Sequence, residues 1–199
     1  MPILYDSAGE VIKLVYLSHN GTEQPVVLDS LGQVFTLNGR LNIDEVIIDL
    51  RAGLEHYALL SKQGNLYIGG TGQMKQKENH LLSNNPDLNQ LHLFDRVDTR
   101  PLIAIDCAAW STLTLDQSGS FNIFGLSNFH PDRDDDLIHF LAGHPSPSSI
   151  KIAAGSHHFS VSDESQILVR TEEGKSLRFE FDRINTVHAS FSDTFIVAD

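Results

Sequence analysis

The stretch that decides the fold is VIIDLRAGLEHYALLSKQGNLYIGG, residues 46–70. Short β-rich runs alternate in it with turn residues, so it predicts strand, tight turn, strand, turn and strand. It carries no evident catalytic chemistry. If the stretch recurs along the chain, each copy forms one unit of a repeat protein, and the repeat decides the fold.

The pattern around Gly53 does recur. Each copy has an apolar segment, a small marker residue, a polar residue three positions later and then a second β-rich run. The five markers are Gly21, Gly53, Ala108, Gly155 and Ala189. Three units continue into a turn whose glycine suits a positive φ, and these glycines are Gly32, Gly64 and Gly119. In the fourth unit Gln166 stands near that position, with a register uncertain by one residue. The fifth unit stops at Asp199, before a last strand.

This pattern resembles the repeat of the regulator-of-chromosome-condensation (RCC) family. The residues of the best unit that match are Gly53, His56, Ala58, Leu59, Gly64, Leu66, Tyr67 and Gly70. A weaker copy has Ser111, Leu113, Gly119, Phe121, Phe124 and Gly125, and a third is anchored by Gly155 and His158. The resemblance implies an all-β, RCC-like β-propeller. The family normally has seven blades, whereas this chain has material for about five degenerate repeats.

The resemblance also implies one propeller domain over residues 1–199. Its repeats lie near 11–40, 45–72, 100–128, 149–182 and 184–199, the last together with residues 1–7. The start PILYDS is similar to SFNIFG of the third unit, and its pairing with the fifth unit would close the ring and protect the strand edges. A partial propeller that needs another chain and a truncated copy of a larger protein are the alternatives.

Two insertions, near 72–100 and 126–148, lengthen the spacing between units. Long loops on a rigid scaffold often carry binding residues. The second insertion holds an acidic run whose carboxylates are Asp132, Asp134, Asp135 and Asp136. The run could bind a divalent cation, but it lacks the ligand spacing of a calcium loop. A solvated loop face is therefore favoured, followed by a docking patch for Lys or Arg groups of a partner.

Charge and composition narrow the function classes. The chain has 199 residues, 41% of them hydrophobic, and a formal net charge of −12 from 26 acidic and 14 basic residues. A protein that binds nucleic acid through its phosphates needs a basic face, so a basic protein partner fits better. No apolar run approaches the roughly 20 residues of a membrane span. With one cysteine and no secretory signal at its start, the chain is expected in the cytoplasm or nucleus.

Catalytic and metal chemistry find little support in the sequence. His157 and His158 are strand neighbours that point to opposite faces, so they do not easily bind one ion. Within the resemblance, His56 and His158 take the repeat's own histidine position, which has a packing and hydrogen-bonding role. Cys107 lies in an apolar strand, and Ser160 has no nucleophile motif around it. The sequence therefore predicts a non-enzymatic protein without a cofactor or a metal.

The repeat indicates where a binding surface lies. The residues one before the histidine position are Glu23, Glu55, Trp110, His157 and Phe191. In a propeller they occupy equivalent turns around one face, and their acidic and aromatic groups suit a protein interface. The alternative is that Trp110 and Phe191 fill gaps between neighbouring blades.

The predicted function is a non-catalytic interaction module or adaptor subunit that binds a protein partner through this face. Some RCC-family members are exchange factors for a Ran-type GTPase, so regulation of a small GTPase is an alternative. A small-molecule or glycan-binding propeller is a further one, but it predicts an aromatic pocket in every blade. The single tryptophan makes that arrangement less favourable.

Overall fold

A computed structural model describes residues 9–19, 22–70, 92–93, 101–125, 131, 134–143, 146–171, 173–189 and 193–198. The described strands form five antiparallel sheets, which we name sheets A to E in chain order. Within each sheet, strands that follow one another along the chain are neighbours. The predicted all-β class is thus confirmed. The chain divides into two compact units, residues 1–99 (unit 1) and residues 100–199 (unit 2).

Unit 1 contains sheets A and B. Sheet A consists of β1 (Val11–His19), β2 (Thr22–Asp29), β3 (Val34–Thr36) and β4 (Gly39–Arg40). Sheet B consists of β5 (Ile47–Ala52), β6 (His56–Ser61), β7 (Leu66–Gly70) and β8 (His92–Leu93). The core between them includes Leu17, Leu28, Leu50, Tyr57 and Leu59. The central strand β6 is buried along its whole length, as its run of apolar residues requires.

Unit 2 contains sheets C, D and E. Sheet C consists of β9 (Leu102–Cys107), β10 (Ser111–Asp116) and β11 (Phe121–Gly125). Sheet D consists of β12 (Lys151–Ala154), β13 (His158–Ser162), β14 (Gln166–Thr171) and β15 (Ser176–Glu180). Sheet E consists of β16 (Ile184–Ala189) and β17 (Thr194–Ala198).

A helix lies in the insertion between sheets C and D, where the sequence predicted only a loop. It is α1 (Asp135–Ala142), and a 3₁₀ turn, Pro147–Ser149, follows it. The apolar face of α1 buries Leu137 and Phe140 in the core shared by sheets C and D. The prediction of a loop is wrong because the spacing of Leu137 and Phe140 after the acidic run is typical of a short amphipathic helix.

The predicted glycine turns are confirmed. Gly32, Gly64 and Gly119 have φ angles of 76°, 85° and 84°. In the turns of Gly32 and Gly119, an aspartate three residues earlier accepts backbone N–H bonds through its side chain: Asp29 from Leu31 and Gln33, and Asp116 from Ser118 and Ser120. A serine, Ser61, stands at the same place before Gly64 and accepts from the N–H of Asn65.

The fourth unit has a shorter turn. The backbone N–H of Asp29 bonds the carbonyl of Gln33, four residues on, whereas the N–H of Asp163 bonds the carbonyl of Gln166, three residues on. The turn after β13 is therefore one residue shorter than the turn after β2. This difference explains the missing glycine and the uncertain register at Gln166.

The predicted closure of the ring requires residues 1–7, and residues 1–8 lie outside the described part of the chain. Within that part, none of the five sheets closes on itself or on another through hydrogen bonds between its strands. Ring closure and a single domain over residues 1–199 therefore stay predictions.

Candidate functional site

The predicted binding residues share one position in their sheets. Glu55, Trp110 and His157 each lie directly before the second strand of sheets B, C and D. Glu23 lies at the start of β2 in sheet A. Phe191 and Asp132 lie outside the described residues. In sheets B, C and D the side chains therefore belong to the turn between the first and second strand, whereas Glu23 lies within the ladder of β1 and β2.

In unit 1 the two acidic positions lie at the same end of neighbouring sheets. Ser18 stands opposite Glu23 in the ladder of β1 and β2. Its backbone N–H donates to the carbonyl of Leu54, next to Glu55, at 2.8 Å. Glu23 is exposed and Glu55 is half-buried. The two carboxylates therefore give this end of unit 1 a negative charge.

In unit 2 a hydrogen bond joins the ends of the first strands of sheets C and D. Asp106 lies near the end of β9, and its Oδ2 accepts from the backbone N–H of Ala154, the last residue of β12, at 2.8 Å. The turns that follow these two strands carry Trp110 and His157. Trp110 is 38% exposed, and His157 is exposed as well. An aromatic ring and an imidazole thus lie accessible at one end of unit 2.

The histidines that follow these positions face the interior. His56 is completely buried, and burial lowers its pKa to about 4. His158 is 7% exposed, and burial lowers its pKa as well, although a hydrogen bond to the backbone of Asp193 opposes this shift. Both are therefore neutral at neutral pH, as suits a packing position. His157 is exposed in the turn before β13, so the two histidines are not the strand neighbours that the sequence predicted, and both line one groove of unit 2.

The acidic run supports the helix α1 from within the chain. Asp134 is its N-cap, and its Oδ1 accepts from the N–H of Leu137 at 3.1 Å. The Oδ2 of Asp134 contacts Nε of Arg170 at 2.5 Å, and both side chains are largely buried. Asp136 contacts Ser176 and lies 3.6 Å from the same guanidinium.

This arrangement corrects the interpretation of Asp134 as part of a solvated loop face. Its carboxylate binds a cation of its own chain, because capping the helix places it over β14. Asp135 and Asp136 remain exposed in the first turn of α1. Their carboxylates also suit the positive end of the helix dipole.

Catalytic and metal sites find no support in the described part of the chain. Cys107 and Ser160 are both buried within strands, at positions that a substrate does not reach. The described residues contain no group of three or more His, Cys, Asp and Glu side chains able to hold a metal ion. They also contain no helix with the length and apolar character needed to cross a membrane.

Sequence reasoning missed a groove in unit 2, beside His157. Its volume is about 730 Å³, and it lies between the face of sheet D and strand β17. Its apolar lining includes Val169, Leu177, Phe179, Phe181 and Ile196. The only signal was the alternation of Leu177 and Phe179 in SLRFE, which by itself is typical of any half-buried strand.

The architecture defines the class of protein: the chain has the fold of RCC1-like β-propellers. No protein-family model and no curated protein matches its sequence. It is similar to the crystal structure of human WBSCR16, with a TM-score of 0.75 and 14% identity over 98% of this chain and 59% of that one. It is also similar to Prp20 of Saccharomyces cerevisiae, with a TM-score of 0.65 and 15% identity over 95% of this chain and 56% of that one.

A second structure of the yeast protein, RCC1 (Prp20) with Kap60 bound, gives a TM-score of 0.64 at 15% identity over 96% of this chain and 54% of that one. The chain therefore spans less than two thirds of each of these structures. At such identities the likeness concerns the fold.

Proposed function

We propose that this protein is a non-catalytic interaction module, or adaptor subunit, that binds a protein partner through the turns before the second strands. The proposed contact residues are Glu23 and Glu55 in unit 1, Trp110 and His157 in unit 2, and Phe191. Asp135 and Asp136, at the start of α1 in unit 2, are a second proposed contact area. A partner with a basic surface suits these carboxylates and the net charge of −12.

The bond between Asp106 and Ala154 carries this proposal. It joins the ends of β9 and β12, the strands that lead into the turns of Trp110 and His157. A tryptophan that is more than one third exposed leaves apolar surface in contact with water. Aromatic side chains in such positions often supply most of the binding energy of an interface.

The test is affinity capture with a tagged protein at low and at high salt. We expect the double variant Trp110→Ala/His157→Ala to lose a partner that the wild type captures. We also expect less capture at high salt, because screening weakens contacts between exposed charges. The matched control is Leu31→Ala, since Leu31 is 51% exposed and follows β2 at the strand end opposite to Glu23. A partner set common to all three proteins, at equal folding, would reject the proposed face.

Regulation of a small GTPase is the second candidate function. The observation that favours it is the likeness to Prp20, whose binding to Gsp1p and histones has been characterised. The test is release of a fluorescent guanine nucleotide from a Ran-type GTPase with and without this protein. Accelerated release that Trp110→Ala reduces would favour this function over an adaptor role. Unchanged release would reject regulation of the GTPase and leave the adaptor role as the proposed function.

A further inference from the structure

The groove of unit 2 exposes an apolar strip on an otherwise well-buried sheet. Leu177 and Phe179 alternate along β15, so their side chains lie on one face. They are 50% and 45% exposed. On the opposite face, Arg178 lies over the ring of Phe140 in α1, at 5.9 Å from its centroid. Arg178 is itself exposed, so α1 contacts this face of β15 without burying it, whereas Leu177 and Phe179 line the groove.

The open face of β15 lies beyond the contact between sheets D and E. Sheet D has four strands, whereas the described part of sheet E has two. Ile184 of β16 packs against Ile167 and Val169 of β14. The outer strand β15 extends past this contact, and its apolar side chains face the groove. Among the described strands, β15 and β17 are the edges of their sheets.

The groove also contains a buried acceptor in need of a donor. Nε2 of His158 is buried and makes no hydrogen bond. Because the ring bonds the backbone of Asp193 and Nε2 is not engaged, Nδ1 is the atom that donates to this carbonyl. Nε2 of the neutral ring is then an acceptor. Thr194 Oγ1, also on the groove wall, has no hydrogen-bond partner either. A buried polar atom without a partner is costly, so a ligand that donates a hydrogen bond gains affinity here.

The charges around the groove determine whether a cationic or an anionic ligand is favoured. Glu173 and Lys175 pair at 2.7 Å and neutralise each other. Together with Asp193, these residues give the lining a negative formal charge. A cationic side chain near Asp193 is favoured over an anionic one.

We propose that this groove binds an extended, basic peptide segment of a protein partner. Alternate apolar side chains of the segment pack on Leu177 and Phe179, a donor of the segment bonds Nε2 of His158, and a Lys or Arg side chain lies near Asp193. The inference rests on the proposed function, because it describes how a partner is held beside His157. It adds a ligand class and a second contact area to that function.

The experiment uses the full chain and a synthetic fluorescein-labelled peptide in which Leu and Phe alternate with Lys. Fluorescence anisotropy measures its affinity, and a second peptide carries Glu in place of Lys. We expect the Lys peptide to bind at least about tenfold more tightly than the Glu peptide. We expect Phe179→Ser to weaken its binding by about tenfold, because an apolar contact is lost.

The matched control is Phe195→Ser. Phe195 is 58% exposed on β17 but does not line the groove. We expect its substitution to leave affinity unchanged within about twofold, far less than the loss of an apolar contact. His158→Phe should weaken binding about fivefold, and His158→Gln, which retains an acceptor, should restore most of it. Thermal unfolding of each variant separates a binding defect from a folding defect.

Three outcomes would overturn the inference: equal effects of Phe179→Ser and Phe195→Ser, equal binding of the two peptides, or concentration-dependent self-association that Phe179→Ser abolishes. The last would assign the groove to a second copy of this chain. Partner capture lost in the Trp110 and His157 variant but kept in Phe179→Ser would reject the groove and leave the proposed function standing. Peptide binding as expected without any captured protein partner would reject the proposed function and retain the groove.

Discussion

Asp106 accepts a hydrogen bond of 2.8 Å from the backbone N–H of Ala154 and so joins the ends of β9 and β12. The donor belongs to a buried residue, so the N–H depends on this carboxylate for a partner. The two strands that it joins lead directly into the turns that carry Trp110 and His157. One side chain thus connects the packing of unit 2 with the surface proposed to bind a partner.

Replacing this carboxylate should loosen the turn of Trp110. We expect Asp106→Ala to lower the free energy of unfolding by about 1–3 kcal/mol, because a buried N–H loses a charged acceptor. Asp106→Asn keeps an acceptor oxygen and should cost less. Since Trp110 is the only tryptophan, acrylamide quenching of its fluorescence reports the turn directly. Quenching should increase in Asp106→Ala and stay near the wild-type value in Asp182→Ala, an exposed control.

The link between Asp134 and Arg170 predicts a larger loss of stability. Asp134→Ala removes the N-cap of α1 and leaves a largely buried guanidinium without its main carboxylate. We expect a loss of about 3 kcal/mol in urea unfolding, since both a cap and a partly buried ion pair disappear. Asp134→Asn retains a capping oxygen, so its loss should be intermediate. Asp135→Asn is the control, and a loss equal to that of Asp134→Ala would contradict the assigned roles.

Local signals in the sequence explain how much of the fold could be predicted. The turns are marked by Gly32, Gly64 and Gly119, because residues other than glycine rarely adopt the positive φ angles found there. The turn after Asp163 lacks this mark because it is one residue shorter than the turn after Asp29. The unit was therefore identified, but its register was not.

The features that sequence reasoning missed depend on contacts between distant segments. The role of Asp134 depends on its ion pair with Arg170, which lies on β14, 36 residues later in the sequence. The exposure of Leu177 and Phe179 depends on which strands of sheet E lie opposite them. The local sequence predicts neither the ion pair of Asp134 nor the exposure of Leu177 and Phe179. An acidic run and a strand with alternating apolar residues both occur in buried and in exposed surroundings.

The glycine turns differ in the space around them, and this difference predicts unequal effects. At Gly32 an added Cβ would lie 2.5 Å from Cγ1 of Val46 and 2.9 Å from the carbonyl oxygen of Ile47. At Gly119 the nearest atom is Cγ of Pro147, at 3.5 Å. We expect Gly119→Ala to cost about 1 kcal/mol from backbone strain alone. Gly32→Ala should cost about 3 kcal/mol, because steric overlap adds to the strain.

Urea unfolding of these two alanine variants side by side checks the prediction. Each substitution adds the same methyl group at a similar positive φ, so each serves as the control for the other. Equal losses of stability would show that the backbone conformation, rather than the crowding by Val46 and Ile47, determines the cost.

Acid should destabilise the fold through His56. Burial lowers its pKa from 6.5 to about 4, so the unfolded chain takes up a proton at a pH where the folded chain does not. The stability is therefore complete above about pH 6.5 and decreases as the pH falls towards 4. Between about pH 7.5 and 5 the loss due to His56 should be about 2 kcal/mol. Burial of His158 acts in the same direction.

The measurement is the free energy of unfolding in urea at these two pH values, for the wild type, His56→Gln and His188→Gln. His56→Gln is expected to be less stable at neutral pH, so the change with pH is the relevant quantity. The decrease in the free energy of unfolding between the two pH values should be about 2 kcal/mol smaller in His56→Gln than in the wild type. It should stay as in the wild type in His188→Gln, because His188 is exposed. An unaltered pH dependence in His56→Gln would mean that His56 is able to take up a proton within the folded core.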